Sequence, residues 1–245
     1  VRCLVISDIH ANLTAFETVL SAAKGQYERV WCLGDLVGYG PDPNACIERL
    51  RELPHVCIAG NHDWAILGKL DVDDFNSDAR RASLWTRRQL SPENIEYLAN
   101  LPTILVEENF TLVHGSPRHH VWEYILYPSI AAPNFDHFAT QYCLVGHTHT
   151  PVIFRHSLDG NERVCEAFLP TLEDTLPLGE DRLIINPGSV GQPRDGDARA
   201  SFSIIDTETR AIDFRRVFYP VNETQERMRQ AELPPRLITR LAYGW

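Results

Sequence analysis

Five times along this chain a short, nearly unbroken apolar run stops at a small cluster of polar residues and glycine. Ile6 leads into Ser7-Asp8-Ile9-His10, Leu33 into Gly34-Asp35, and Ile58-Ala59 into Gly60-Asn61-His62-Asp63. Val113 leads into His114-Gly115, and Val145 into Gly146-His147-Thr148-His149. Runs this short, rich in Val, Ile, Leu and Cys and lacking polar alternation, predict strands covered on both faces. Amphipathic segments separate the first three, so residues 2–7, 13–24, 29–33, 43–53 and 55–59 predict strand, helix, strand, helix, strand. Asn12 and the pair Asp42-Pro43 supply helix starts. In an open α/β sheet the strand carboxyl ends converge on one rim, where residues remote in sequence become neighbours. Five polar clusters on that rim would form one site.

The rest of the chain is helical, then strand-rich. Residues 76–90 predict a polar, Arg-rich helix with Ala82, Leu84, Trp85 and Leu90 on one face. Ser91-Pro92 starts another, ending near Leu101. A hairpin is expected over 103–107 and 110–113 around Glu108-Asn109, with later strands at 142–145, 152–156, 163–168, 182–186, 201–206 and 211–218. Residues 169–181, with two prolines and four acids, predict a surface loop, and 222–241 a closing helix interrupted at Pro234-Pro235. No repeat or linker calls for a boundary, so one domain over 1–245 is expected.

A formal charge of -10 opposes electrostatic binding to duplex nucleic acid, which needs clustered Lys and Arg. It does not oppose a small phosphorylated substrate, because bound cations invert the local field. The six cysteines are scattered singly, as buried reduced thiols are. No apolar stretch approaches the roughly 20 residues of a membrane span, and no leader precedes the first strand, so a cytoplasmic protein without membrane partners is expected.

Carboxylate, imidazole and amide oxygen together suit divalent manganese, iron, zinc, nickel or cobalt, whereas structural zinc favours thiolates. The candidates are Asp8, His10, Asp35, Asn61, His114, His147 and His149. Seven ligands exceed what one ion accepts while keeping an open position, and a carboxylate can bridge two ions about 3.5 to 4 Å apart.

The ordered motifs Asp-x-His, Gly-Asp, Gly-Asn-His-Asp, His and Gly-His-x-His resemble those of the calcineurin-like metallophosphoesterase superfamily, and Ile185-Asn186-Pro187-Gly188-Ser189 resembles a segment of its small bacterial and archaeal phosphodiesterase branch. The resemblance implies an α/β, four-layer sandwich of two mixed β-sheets between helical layers. It implies that Asp8, His10 and His149 hold one ion, that Asn61, His114 and His147 hold a second, and that Asp35 bridges them. His62 then stays free of metal to serve the leaving group while a metal-activated water attacks phosphorus. Where the protein serine/threonine phosphatase branch continues as Gly-Asp-x-Val-Asp-Arg-Gly, this chain has Gly34-Asp35-Leu36-Val37-Gly38-Tyr39-Gly40. The Asp that orients the catalytic His and the Arg that grips phosphate are absent, which favours a small phosphodiester or nucleotide over a phosphoprotein.

Arg194, in Gly191-Gln192-Pro193-Arg194, is a candidate phosphate clamp, since guanidinium matches phosphate in bidentate fashion. His119-His120 reads as surface, Asp63 as a cap rather than a partner of His62, and Trp31, Trp85, Trp122 and Trp245 as packing residues. The alternatives to a phosphodiesterase are a phosphomonoesterase or protein phosphatase with the same centre, a non-catalytic scaffold, and a dinuclear redox or metal-sensing protein.

Overall fold

The computed structural model describes residues 1–159, 162–172 and 175–245. Strands β1 (Arg2–Ile6), β2 (Arg29–Cys32) and β3 (His55–Cys57) pair in parallel, joined by helices α1 (Leu13–Ala22) and α2 (Pro43–Arg51). Helix α3 (Asn61–Ile66) begins within four residues of β3, followed by α4 (Ser77–Gln89) and α5 (Pro92–Ala99). The hairpin β4 (Ile104–Glu107) and β5 (Phe110–Val113) turns at Glu108, whose φ is 51°. After α6 (Pro128–Asn134) come β6 (Tyr142–Leu144), β7 (Val152–Asp159), β8 (Glu162–Phe168), β9 (Thr175–Pro177), β10 (Arg182–Asn186), β11 (Ala200–Asp206) and β12 (Ala211–Val217). Helices α7 (Val221–Gln230) and α8 (Pro235–Arg240) follow, with Pro235 opening α8 after the expected break.

The strands make two mixed sheets of six, in the orders β3-β2-β1-β11-β12-β9 and β4-β5-β6-β10-β7-β8. Side-chain alternation divides each strand between two cores. Cys3, Val5 and Trp31 of the first sheet meet Phe110, Leu112, Leu144 and Ile185 of the second, so the sheets pack face to face. The intervening Leu4, Ile6 and Val30 pack outward against Phe16 and Val19 of α1 and Ile47 and Leu50 of α2. On the opposite side Val113, Cys143 and Ile184 pack against Ala131 of α6 and Phe135. Burial on both faces explains the absence of polar alternation, and the result is the four-layer sandwich expected from the motifs.

Several local expectations need correction. The buried face of α4 is Ala79, Ala82, Ser83 and Thr86, small residues that let the helix approach closely, while Leu84 and Trp85 are only half-buried. The expected loop over 169–181 contains the edge strand β9, which pairs with β12; a three-residue edge strand with a proline has too little periodicity to read. Glu173 and Asp174 of that segment lie outside the described residues. Helix α6, with Pro133 inside it, was likewise not legible. Asn12 caps α1 by accepting from the Ala15 amide, whereas Asp42 makes no side-chain cap and instead pairs with Arg227 at 3.1 Å. Trp31 is buried and Trp85 packs half-buried against a core cluster, while Trp122 and Trp245 are 41% and 64% exposed, each against another aromatic ring. All six cysteines are free, and no helix among the described residues is long and apolar enough to cross a membrane.

Candidate metal centre

The five clusters follow β1, β2 and β3 of one sheet and β5 and β6 of the other, so they meet where two parallel-strand rims face each other across the sandwich. The rim is therefore a double one. Backbone hydrogen bonds lock the motif loops together: the Asp8 amide donates to Gly34, the His10 amide to Asp35, and the Gly146 amide to His114. The segment singled out after β10 is a brace for these loops. Asn186 Nδ2 donates to the Gly146 carbonyl at 2.7 Å and to Thr148 at 3.0 Å, and the Ser189 hydroxyl donates to the Asp8 carbonyl at 2.9 Å.

All seven candidate ligands are brought together and buried. Asp8, His10, Asp35 and His149 form one group, and Asp35, His114 and His147 a second, with donor atoms inside each group within 4.8 Å of one another. Asp35 belongs to both. Asn61 joins the second group through its Oδ1, 3.1 Å from His114 Nε2. His62 belongs to neither group.

Each imidazole is oriented by a backbone carbonyl. His10 Nδ1 meets Val37 O at 3.2 Å, His114 Nδ1 meets Leu33 O at 2.8 Å, His149 Nδ1 meets Gln192 O at 2.5 Å, and His147 Nε2 meets Trp122 O at 3.1 Å. A carbonyl oxygen can only accept, so those nitrogens carry the proton, and the second nitrogens of the His10, His147 and His149 rings present lone pairs inward. The carboxylates are divided in the same way. Asp8 Oδ2 accepts from the His147 amide and Asp35 Oδ1 from the His62 amide, while Asp8 Oδ1 and Asp35 Oδ2 are buried without a hydrogen-bond partner. These oxygens do lie 3.2 and 3.3 Å from His149 Nε2 and His114 Nε2, but at distances and not in the geometry of hydrogen bonds. His10 Nε2 and His149 Nε2 face each other at 3.2 Å. Converging lone pairs and orphaned anionic oxygens are costly unless a cation lies between them, so the donor set fits divalent metal.

Backbone strain marks the same residues. Asp8, His10, Asp35, His147 and His149 all have φ between 48° and 66°, a region that non-glycine residues seldom occupy. Gly60 is required by close approach, because a Cβ there would fall 2.1 Å from Asp35 Oδ1.

The local field follows from burial set against charge. Burial would raise the pKa of Asp8 and of Asp35, but His149 beside the first and His114 and His62 beside the second hold both carboxyls far below the ordinary range. Burial would lower His114, but Asp35 outweighs it and raises the ring to about 9. Burial lowers His10, His147 and His149, which keeps these rings neutral, the form a metal ion would need.

His62 is buried among His10, Tyr39 and Phe75, with ring centres 4.9, 4.4 and 4.9 Å away, and burial lowers its pKa to about 4 against the pull of Asp35. Its Nδ1 has no partner. A Cβ at Gly38 would come within 2.8 Å of that nitrogen, so the His62 ring packs directly on the glycine that stands where the phosphatase pattern has its orienting Asp. Asp63 does not fill the gap: its carboxylate accepts from the Gly60 and Val37 amides, capping α3 as expected. Burial and the neighbouring Asp35 raise its pKa to about 7.

Arg194 reaches the site, its Nε donating to Gln192 Oε1 at 3.1 Å and its Nη2 to the Tyr39 hydroxyl at 3.3 Å. His119 is exposed and His120 bonds Thr103, so neither ring joins the candidate ligand groups, although the carbonyl of His120 accepts from the Gly115 amide next to His114. Sequence reasoning missed the aromatic wall. Tyr124 lies against His147 with ring centres 3.8 Å apart, and Trp122 against Phe75 at 5.3 Å. Isolated aromatics carry no local signal that they line a site.

Comparison with known proteins agrees with this geometry. Residues 1–210 match the model of the calcineurin-like phosphoesterase superfamily domain. An uncharacterised protein of Methanocaldococcus jannaschii is 40% identical over 248 residues, covering 98% of this chain and 97% of its own. The crystal structure of a metallophosphoesterase from Sphaerobacter thermophilus superposes with a TM-score of 0.88 at 47% identity, covering 100% of this chain and 99% of the other. A symmetrical bis(5'-nucleosyl)-tetraphosphatase of Glaesserella parasuis is 31% identical over 70 residues, 27% of this chain and 26% of its own. Motifs, donor geometry and these likenesses agree: the chain belongs to the calcineurin-like phosphoesterase superfamily and is a metal-dependent phosphoesterase.

Proposed function

We propose that this chain, acting as one domain, hydrolyses small phosphodiesters or nucleotides at a pair of divalent ions. Asp8, His10 and His149 would hold one ion, Asn61, His114 and His147 the other, and Asp35 both. The observation that carries this reading is the sharing of Asp35 between two buried ligand groups. Ions so held supply Lewis acidity toward phosphoryl oxygens and lower the pKa of water from about 15.7 toward 7.

The chain's own residues do the rest. The carbonyls of Val37, Leu33, Gln192 and Trp122 keep the four imidazoles in one tautomer. His62, with Nδ1 walled in beside Gly38, has only Nε2 to offer a leaving oxygen. Because burial holds that ring neutral at neutral pH, it acts there as an N–H donor to developing charge. Arg194, fixed by Gln192 and Tyr39, grips a phosphoryl oxygen. Gly38 and Tyr39 in place of the phosphatase Asp and Arg favour a small substrate over a phosphoprotein. The tetraphosphatase likeness, although it covers 27% of the chain, points toward nucleotides.

Turnover of bis-nitrophenyl phosphate, cyclic nucleotides and dinucleoside polyphosphates by protein loaded in turn with manganese, iron, zinc, nickel and cobalt tests the reading. At least one should be hydrolysed; silence across the whole panel would overturn it.

A further inference from the structure

Helix α4 carries four arginines, Arg80, Arg81, Arg87 and Arg88, on a chain whose formal charge is -10. Arg87 and Arg88 lie in its last turn, where a cation meets the negative end of the helix dipole. Arg80 and Arg81 lie near its amino end, where the same field opposes them, so helix stability does not account for their place. Arg81, Trp85 and Arg88 are spaced by four and then three residues and so share one face. With Arg80 they line a cavity of about 690 Å³, whose walls also include Glu232 and Leu233 between α7 and α8. None of the seven proposed metal ligands lines it, nor does His62 or Arg194.

The charge of these walls is one-sided, with three guanidinium groups against the single carboxylate of Glu232. Arg80 Nε pairs with Asp73 at 3.0 Å. Arg81 Nη2 donates to the Glu232 carbonyl at 2.9 Å, an uncharged acceptor that fixes the guanidinium and ties α4 to the turn. Among the described residues neither Arg81 nor Arg88 has a carboxylate within ion-pairing distance, and the Arg88 guanidinium has no hydrogen-bond acceptor at all. Trp85 is half-buried: it packs against the cluster of Ala82 and Leu233 and also borders the cavity. Guanidinium forks match phosphate oxygens, and an indole offers a ring on which a nucleobase stacks. The volume lies within the range of small-molecule sites, about 300 to 1,000 Å³, and is too small for a duplex.

We propose that the groove between α4 and the turn joining α7 to α8 is a second ligand site, for an anion that carries an aromatic ring. That is the chemistry of a nucleotide, with phosphate oxygens on Arg81 and Arg88 and the base against Trp85. The site is separate from the metal centre and stands or falls independently of the function proposed there.

Calorimetric titration of the full chain, kept metal-free by chelator, with ATP, tripolyphosphate and adenosine tests the site. ATP should bind, and adenosine far more weakly. Arg81→Met combined with Arg88→Met should weaken ATP about 10- to 100-fold, as loss of charge-assisted hydrogen bonds does. Trp85→Leu should weaken ATP about 10-fold and leave tripolyphosphate within about twofold, because only the base stacks. Arg194→Met, at the metal centre, should leave ATP within about twofold. Should Trp85→Leu fail to fold, the two arginines, exposed on the helix surface, still decide. No ATP binding, unchanged binding in the double arginine variant, or a loss caused by Arg194→Met instead overturns the site. Equal losses of ATP and tripolyphosphate in Trp85→Leu, or binding of hexaglutamate without binding of ATP, overturns the assignment to a nucleotide.

Discussion

At the scale of single residues, the site pairs strain with unmet electrostatic demand. Five of the seven proposed ligands sit in the left-handed region, which side chains avoid by on the order of 1–2 kcal/mol each, and the framework holds them there because both flanking loops are locked by backbone hydrogen bonds. His62 is the sharpest residue to test. His62→Ala should lower kcat by roughly 10²- to 10³-fold, the usual cost of losing one hydrogen-bond donor to developing charge, while metal content per chain stays unchanged by elemental analysis. Loss of metal along with activity would make His62 a ligand. Gly60→Ala sets a methyl 2.1 Å from Asp35 Oδ1, so either the α3 start or the shared carboxylate must move. We expect loss of metal uptake and a destabilisation of about 1–3 kcal/mol in chemical unfolding, the range for overpacking.

Among elements, the decisive contact is between the two sheets. Trp31 of β2 is 1% exposed and lies 5.3 Å from the Phe110 ring of β5, and its indole N–H has no partner. Trp31→Ala should cost about 3–5 kcal/mol by leaving a cavity. Trp31→Phe should cost distinctly less, because removing an unsatisfied buried N–H offsets part of the lost packing; denaturant midpoints of the two variants give the comparison. The segment between β5 and α6 is held by a different force. Burial would raise the Glu123 pKa, but hydrogen bonds from Arg118, Asn134 and Ser116 outweigh it and hold the carboxyl at about 2, against an ordinary 4.5. A depressed carboxyl pKa means stability that is present above 4.5 and lost as pH falls from there through about 2. Glu123→Gln should therefore melt lower than the native chain at neutral pH, and the gap between them should close across that acid window. A gap that stays constant with pH would assign the segment's stability to packing.

For the whole molecule, the centre joins strand ends of both sheets, so filling it should stabilise the sandwich as a unit. Metal at a hundredfold excess over its Kd should add about 2.7 kcal/mol, seen as a rise in Tm that chelation reverses. Asp35→Asn, which weakens the carboxylate common to both ligand groups, should shrink that rise far more than Arg194→Met does. Most of this centre was legible in the linear order. The parallel strands of the first half and the seven ligand candidates follow from apolar runs that end in glycine and polar clusters, since a strand buried on both faces leaves only its end to hold a metal ligand. A single Asp8 or His149 in the sequence says nothing by itself, but five such strand ends in one chain do. The order of residues did not reveal that two sheets would contribute to one rim, that the Asn186 to Ser189 segment would brace the ligand loops, or that Arg194 and Arg240 would both approach Tyr39. Periodicity is a local property, read over one element at a time, and determined the strands, their buried faces and the chemistry at their ends. Which ends meet and which aromatic wall surrounds them depend on contacts between segments as far as 181 residues apart, and only packing of the complete sandwich decides those.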